Sequence, residues 1–263
     1  MALSFPAIDP IAIEIGPIAI RWYALAYIAG IVGGWKYATY LNAGSLRVMA
    51  REQLDDFVVW VTVGIILGGR LGYVIFYKPL YYLSEPLEAL MLWRGGMSFH
   101  GGMLGVILAI VLFSRRNDLK LFRVGDLVTC VVPIGLFFGR VANFINGELF
   151  GREAPDVAWA MVFPHGGPVA RHPSQLYQAG LEGLALFAVL FVLARNPRVC
   201  DRPGMLAGVF LAGYGIARCI GELFREPDAH LGYLVGPLTM GMLLSLPMLA
   251  VGLWLVVSSK GRA

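Results

Sequence analysis

Charge is what this chain has least of. Only 14% of its 263 residues are Asp, Glu, Lys or Arg, while 58% are hydrophobic; a soluble domain carries about a quarter charged residues. That scarcity excludes an ordinary soluble globule and identifies a polytopic membrane protein. Cysteine is also sparse. Cys130, Cys200 and Cys219 are odd in number and lack CxxC spacing, which excludes a disulfide framework or a zinc site. Cys130 and Cys219 read as small packing residues within helices. The first twenty residues contain no Lys or Arg, so no cleavable signal peptide is expected. The net charge of +4 comes from basic residues scattered through short connections. It therefore gives no nucleic-acid-binding stripe. No Walker motif or metal-ligand spacing is present, and neither metal nor cofactor is expected.

What is present is a succession of apolar segments near the roughly 20 residues a bilayer requires. They run approximately over residues 18–39, 57–77, 97–113, 127–145, 176–193, 205–224 and 235–257. The expected fold class is an all-α polytopic membrane protein, one integral membrane domain over 1–263 with seven transmembrane helices. Arg47, Arg51, Arg115, Arg116, Lys120, Arg123, Arg195, Arg198, Arg202, Lys260 and Arg262 fall in alternate connections and the tail. Fewer basic residues (Arg21, Lys78, Arg94, Arg152, Arg171, Arg225) lie on the other side. This excess places the C-terminus in the cytoplasm and the N-terminus outside. Two outer connections are long enough to fold. Residues 78–96, with Tyr81, Leu83, Leu87, Leu90 and Trp93, read as an amphipathic arm on the membrane surface. Residues 147–173 read as a small extramembrane head, with Trp159, Met161 and Phe163 alternating like a short strand.

Polar residues inside the spans carry the functional argument, because an ionisable group there costs about 2.5–3.5 kcal/mol on insertion scales. On a helix, Gly139, Arg140, Asn143, Asn146 and Gly147 share one arc, and Glu148 falls off it, beyond the helix end. Tyr214, Arg218, Glu222 and Arg225 form a second stripe. Gly64, Gly68 and Gly72 have the spacing of close helix packing, with Arg70 among them. His100 lies between glycines that let a ligand or backbone approach, and as a buried neutral imidazole it would accept a proton; His165, His172 and His230 fall in outer connections. Ser174 is a candidate helix cap. Each cation has a structural alternative: Arg140 clamped to a carbonyl or to Glu148, Arg70 clamped to a carbonyl, and one arginine of the second stripe neutralised by Glu222. With Arg140 and Arg218 read as lacking close carboxylate partners, an anion is required, and an arginine fork fits phosphate. The anion most available in a bilayer is a phospholipid headgroup.

The run Gly139-Arg140-x-x-Asn143-Phe144-x-Asn146-x-Glu148-x-x-Gly151 resembles the signature of bacterial prolipoprotein diacylglyceryl transferases. The likeness extends through Trp22-Tyr23, Gly68-Gly69-Arg70-x-Gly72-Tyr73, Ser98-Phe99-His100-Gly101-Gly102, Arg171-His172-Pro173-Ser174-Gln175-Leu176-Tyr177 and Gly213-Tyr214-Gly215-x-x-Arg218. It implies a multi-pass enzyme of the bacterial inner membrane. Such an enzyme moves the diacylglyceryl group of phosphatidylglycerol onto the lipobox cysteine of a preprolipoprotein and releases glycerol phosphate. It implies catalytic roles for His100, Arg140, Tyr214 and Arg218, and substrate contacts from Tyr23, Asn143, Glu148 and Gly151. Arg70 and Asn146 join the binding set on the residue argument. Gln178 departs from the pattern, which is expected to have Glu after the Leu-Tyr pair, and the head is short. The competing readings are an anion transporter or channel, which should show inverted repeats, and a non-catalytic lipid-binding scaffold.

Overall fold

The structure, a computed structural model, describes residues 3–6, 8–16, 18–227 and 232–262. His230 lies outside the described residues. Two compact units emerge: one joins Met1–Leu41 to Asp126–Ala263, and the other is Asn42–Gly125.

The larger unit begins with strands rather than a helix. β1 (Leu3–Ser4) precedes a hairpin of β2 (Ile11–Ile15) and β3 (Ile18–Arg21). Gly16 supplies the positive φ of 57° in its turn, a conformation that other residues adopt at a cost. The first apolar segment therefore starts later than expected: α1 spans Trp22–Ala43, because β-branched Ile18 and Ile20 pair in the hairpin. The smaller unit holds α2 (Arg51–Phe76), α3 (Pro79–Ser84), two short 3₁₀ turns (Pro86–Leu90 and Leu92–Arg94) and α4 (Phe99–Arg116). α5 (Leu121–Ile145) then leads to the head, where β4 (Met161–Val162) pairs in parallel with β1. Of the expected alternating strand Trp159, Met161 and Phe163, only Met161 lies in β4.

α6 (Ser174–Gln178) passes through a π-helical stretch (Ala179–Ala185) into α7 (Leu186–Leu193). The short α8 (Pro197–Cys200), α9 (Met205–Phe224), β5 (Tyr233–Val235), β6 (Leu238–Thr239) and α10 (Met240–Ser258) complete the chain. Among the described residues, six helical segments are long and apolar enough to cross a membrane: 51–76, 99–116, 121–145, 174–193, 205–224 and 240–262. α1 has the length, with 22 residues, but its Trp, Tyr, Gly and Lys36 dilute its apolar character. The chain is thus a mostly helical, multi-pass membrane protein, and among the described residues three small two-stranded ladders make it not purely α-helical. The apolar side chains left exposed along these helices, such as Val59, Leu67, Leu108, Val192, Leu246 and Val257, are the surface a bilayer covers.

Close packing in the smaller unit follows the glycine spacing. A Cβ at Gly68 would come within 2.4 Å of the Gly101 carbonyl oxygen, and one at Gly105 within 2.0 Å of Gly64 O. α2 and α4 therefore cross backbone to backbone, as small-xxx-small spacing implies. Ser98 caps α4, its hydroxyl accepting from Gly101 N at 3.2 Å. In the larger unit, buried Asp126 accepts from the N–H groups of Gly204 (2.7 Å) and Ala207 (2.8 Å), fastening α5 to the start of α9.

Candidate active site

α5 presents Arg140 near its C-terminal end. The side chain does not lack a carboxylate: Nε and Nη2 both donate to Glu182 Oε2, at 3.0 and 2.9 Å. The second oxygen of Glu182 lies 3.6 Å from Arg218 Nη1, and Arg218 Nη2 meets Glu222 Oε1 at 2.7 Å. Arg225 Nη1 reaches the same Glu222 oxygen at 3.1 Å, and Thr239 Oγ1 donates to Oε2 at 2.6 Å. Five charged groups thus form an alternating chain, Arg140–Glu182–Arg218–Glu222–Arg225, across three spans. This corrects the expectation that the two cations lack matching carboxylates. Glu182 was missed, although it is the one acidic residue of the apolar segment 176–193 and so carried the same signal as Arg140. The reason it reaches both arginines is not in the residue pattern: Glu182 sits inside the π-helical stretch, which shifts the register of the face it shares with Gln178. Such bulges recur at functional sites.

Tyr214 lies beside this chain. Its phenol meets the Arg140 guanidinium in the combined field of Glu182 and Arg218, and its ring stacks on Phe210 at 6.0 Å. Glu182 occupies the Nε–Nη2 edge of the Arg140 fork and divides its charge between two cations.

Beyond Arg140 the asparagines turn to Glu148, whose Oε1 accepts from Asn143 Nδ2 at 2.8 Å and Asn146 Nδ2 at 3.3 Å. α5 has ended at Ile145, and Gly147 takes φ +66° to reverse the chain. The exposed Glu148 carboxylate therefore folds back over the face it was expected to leave. Gly151 is pressed between two backbone segments: a Cβ there would lie 2.5 Å from both His172 O and Phe224 O. It forms an isolated bridge to Arg225, so the head is tied to the end of α9. Arg152 adds donations to Arg225 O (3.0 Å) and Glu222 O (3.1 Å). Ser174 does not cap α6; its hydroxyl donates to Leu149 O at 2.9 Å, while Gln175 Nε2 donates to Glu148 O at 2.6 Å. His172 Nδ1 is 3.1 Å from the Tyr177 hydroxyl, which also accepts from Trp159 Nε1 at 2.6 Å. Desolvation holds the His172 pKa below its ordinary value. Tyr23 sits at the start of α1 with its ring tilted against Tyr27 at 5.4 Å.

The smaller unit places the other two candidates. His100 is in the first turn of α4 and is exposed, not buried as expected. Arg70 differs from the expected substrate contact. It is 5% exposed, and its guanidinium donates to five carbonyls: Ala89 (2.7 Å), Gly95 (2.5 Å), Gly96 (3.1 Å), Glu88 (2.6 Å) and Met91 (3.3 Å). It holds the arm to α2, with Tyr82 stacked near the cation at 5.3 Å.

A chain of alternating charges linking helices long and apolar enough to cross a membrane marks a polytopic membrane protein with ionised groups inside its spans. Comparison with known proteins gives the family. Residues 10–258 match the prolipoprotein diacylglyceryl transferase family. Phosphatidylglycerol–prolipoprotein diacylglyceryl transferases resemble the chain end to end: that of Paramagnetospirillum magneticum is 65% identical, covering 99% of this chain and 97% of its own length. That of Rhodospirillum rubrum is 60% identical, covering 98% and 95%, and that of Azospirillum brasilense 56%, covering 100% and 98%. The chain belongs to the prolipoprotein diacylglyceryl transferase family, and it is a transferase.

Proposed function

We propose that this protein transfers the diacylglyceryl group of phosphatidylglycerol to the lipobox cysteine of preprolipoproteins in a bacterial inner membrane. The observation that carries the reading is the convergence of Arg140 and Arg218, from different helices, on the single buried carboxylate of Glu182 beside Tyr214. The pairing keeps both forks oriented before substrate arrives. A phosphodiester entering there meets guanidiniums that are already aimed, and preorganised charge is the largest contribution in many active sites.

The cysteine sulfur attacks the glycerol carbon that bears the phosphate ester. The C–S bond forms as the C–O bond breaks, and the departing electron pair goes to the phosphate of glycerol phosphate. Arg140 and Arg218 stabilise that growing charge, and Tyr214 donates a hydrogen bond. The thiol proton leaves to His100. A free thiol has a pKa near 8.5, so a base is useful at neutral pH. The imidazole stands exposed in the first turn of α4. Asn143, Asn146, Glu148 and Gly151 shape the outer wall, and Tyr23 contributes a further contact. The topology that suits this chemistry counts α1 as a seventh span, with the N-terminus outside, the C-terminus cytoplasmic, and arm and head facing the lipoprotein. The basic excess in alternate connections supports it.

The test is purified protein with phosphatidylglycerol and a lipobox peptide. Transfer predicts a cysteine-linked mass increase and water-soluble glycerol phosphate. Anion flux across vesicles with no modified peptide would favour a transporter instead.

A further inference from the structure

Gln178 ends α6, just before the π-helical stretch. It is 0% exposed, yet among the described residues neither its Nε2 nor its Oε1 has a hydrogen-bond partner. Its neighbour one turn earlier, Gln175, donates to Glu148 O at 2.6 Å. A buried amide without partners is disfavoured, so this one calls for a partner the protein itself does not supply.

Its position narrows what that partner is. Four residues on, the same helix presents Glu182, which holds Arg140 and Arg218. Across from it stands Gly221 of α9, between Arg218 and Glu222. A Cβ at Gly221 would lie 3.0 Å from Gln178 Cγ and 3.3 Å from Nε2. Both helices meet the head just beyond: Ser174 and Gln175 bond to Leu149 and Glu148 carbonyls, and Arg152 bonds to those of Glu222 and Arg225. The amide therefore sits on the head side of the arginine pair. A lipid with its phosphate on the forks and its acyl chains in the membrane sends its headgroup substituent that way.

The chemistry selects the substituent. An amide offers donors and an acceptor side by side. A phosphate only accepts and would leave Oε1 facing an anion. An ammonium only donates and would leave Nε2 unmet. A hydroxyl does both, and a vicinal diol satisfies both amide atoms together.

We propose that Gln178, seated on Gly221 beside the Arg140–Glu182–Arg218 cluster, is the headgroup-specificity residue, its amide bonding the hydroxyls of a glycerol headgroup. This rests on the transferase reading above and deepens it. The amide contributes recognition at the leaving group and takes no part in the bond exchange.

The experiment compares phosphatidylglycerol with phosphatidylpropanol, which has the same phosphodiester charge and no headgroup hydroxyl, using full-length protein and a lipobox peptide. Wild-type kcat/KM is expected to favour phosphatidylglycerol by about tenfold or more, since sites built to bond a hydroxyl reject analogues lacking it. Gln178→Met, close in volume, is expected to bring that ratio to within about twofold of unity. Gly221→Ala, which pushes on Gln178 Cγ, is expected to lower it in the same direction. Equal wild-type turnover of the two lipids would overturn the proposal without any variant, and so would a preference that survives Gln178→Met, which would make the amide's partner a buried water. Wild-type transfer from neither lipid would instead sink the transferase reading, and this proposal with it.

Discussion

Arg70 and Arg140 are hard to tell apart in the sequence. Each is an arginine in an apolar span, each is flanked by glycine, and each belongs to a family-like motif. Their surroundings differ in kind. Arg70 in the smaller unit is held by five backbone carbonyls, neutral partners that cannot leave without unfolding the arm. Arg140 in the larger unit is held by a carboxylate that it shares with Arg218. A carbonyl cage fixes structure. A shared carboxylate leaves a charge distribution that another anion can enter and rearrange. An intramembrane cation becomes a candidate for catalysis when its partners are ionised and divided between cations.

The largest expected effect sharpens that contrast by asking whether the smaller unit contributes chemistry anywhere else. His100→Gln is expected to slow transfer by about 10²–10⁴, the usual contribution of a positioned base, while lipid binding persists. Raising the pH should partly restore the rate as thiolate accumulates. Single-turnover rates at saturating lipid measure this; a normal rate at neutral pH would make His100 an orienting residue and move attention to His172, whose pKa desolvation holds below its ordinary value.

Arg140→Lys comes next. It keeps the charge and loses the planar fork that bonds Glu182 through two nitrogens, so transfer is expected to fall by about 10²–10³. Normal transfer by this variant at limiting lipid would break the comparison from the catalytic side.

Arg70→Lys should behave differently. Lysine cannot serve five carbonyls, and each buried group left unmet costs about 1–3 kcal/mol. The expected outcome is a lower melting temperature and faster proteolysis between Lys78 and Gly96, with KM for lipid unchanged in the folded fraction. A raised KM with normal stability would return Arg70 to the substrate site.

The spans were legible because lipid demands continuous apolar length, and the positions of five apolar segments map onto helices α2, α4, α5, α9 and α10. The glycine stripe of α2 foretold its close crossing, since only small residues admit backbone contact. The polar face of α5 was legible for the same periodic reason. Three things were not. The hairpin over Ile11–Arg21 is apolar, and short apolar runs do not distinguish strand from helix. Glu182 was visible as a residue, but its reach to two arginines depends on the π-helical register of residues 179–185, which no periodic template contains. The return of Glu148 onto Asn143 and Asn146 depends on Gly147 and Leu149 both taking positive φ, a turn that the helical wheel cannot represent.

The smallest expected effect tests how the carbonyl cage itself is kept in place. Arg70 bonds the backbone carbonyl of Glu88, and the Glu88 side chain knits the arm by accepting from Tyr81 and Arg94. Those donors, Tyr81 first and Arg94 second, hold the Glu88 carboxyl below its ordinary pKa of 4.5. The ionised form is therefore favoured in the folded arm, so its contribution is complete above pH 4.5 and fades as pH falls through the lowered value. All three groups face water, where such pairs contribute little and salt screens them. Amide exchange over residues 79–94 should accordingly quicken modestly as the pH falls below 4.5, after correction for intrinsic rates, and Glu88→Gln should remove that pH dependence. Exchange that quickened equally in Glu88→Gln would mean the arm is held by Arg70 alone, with the Glu88 carboxylate a bystander on its surface.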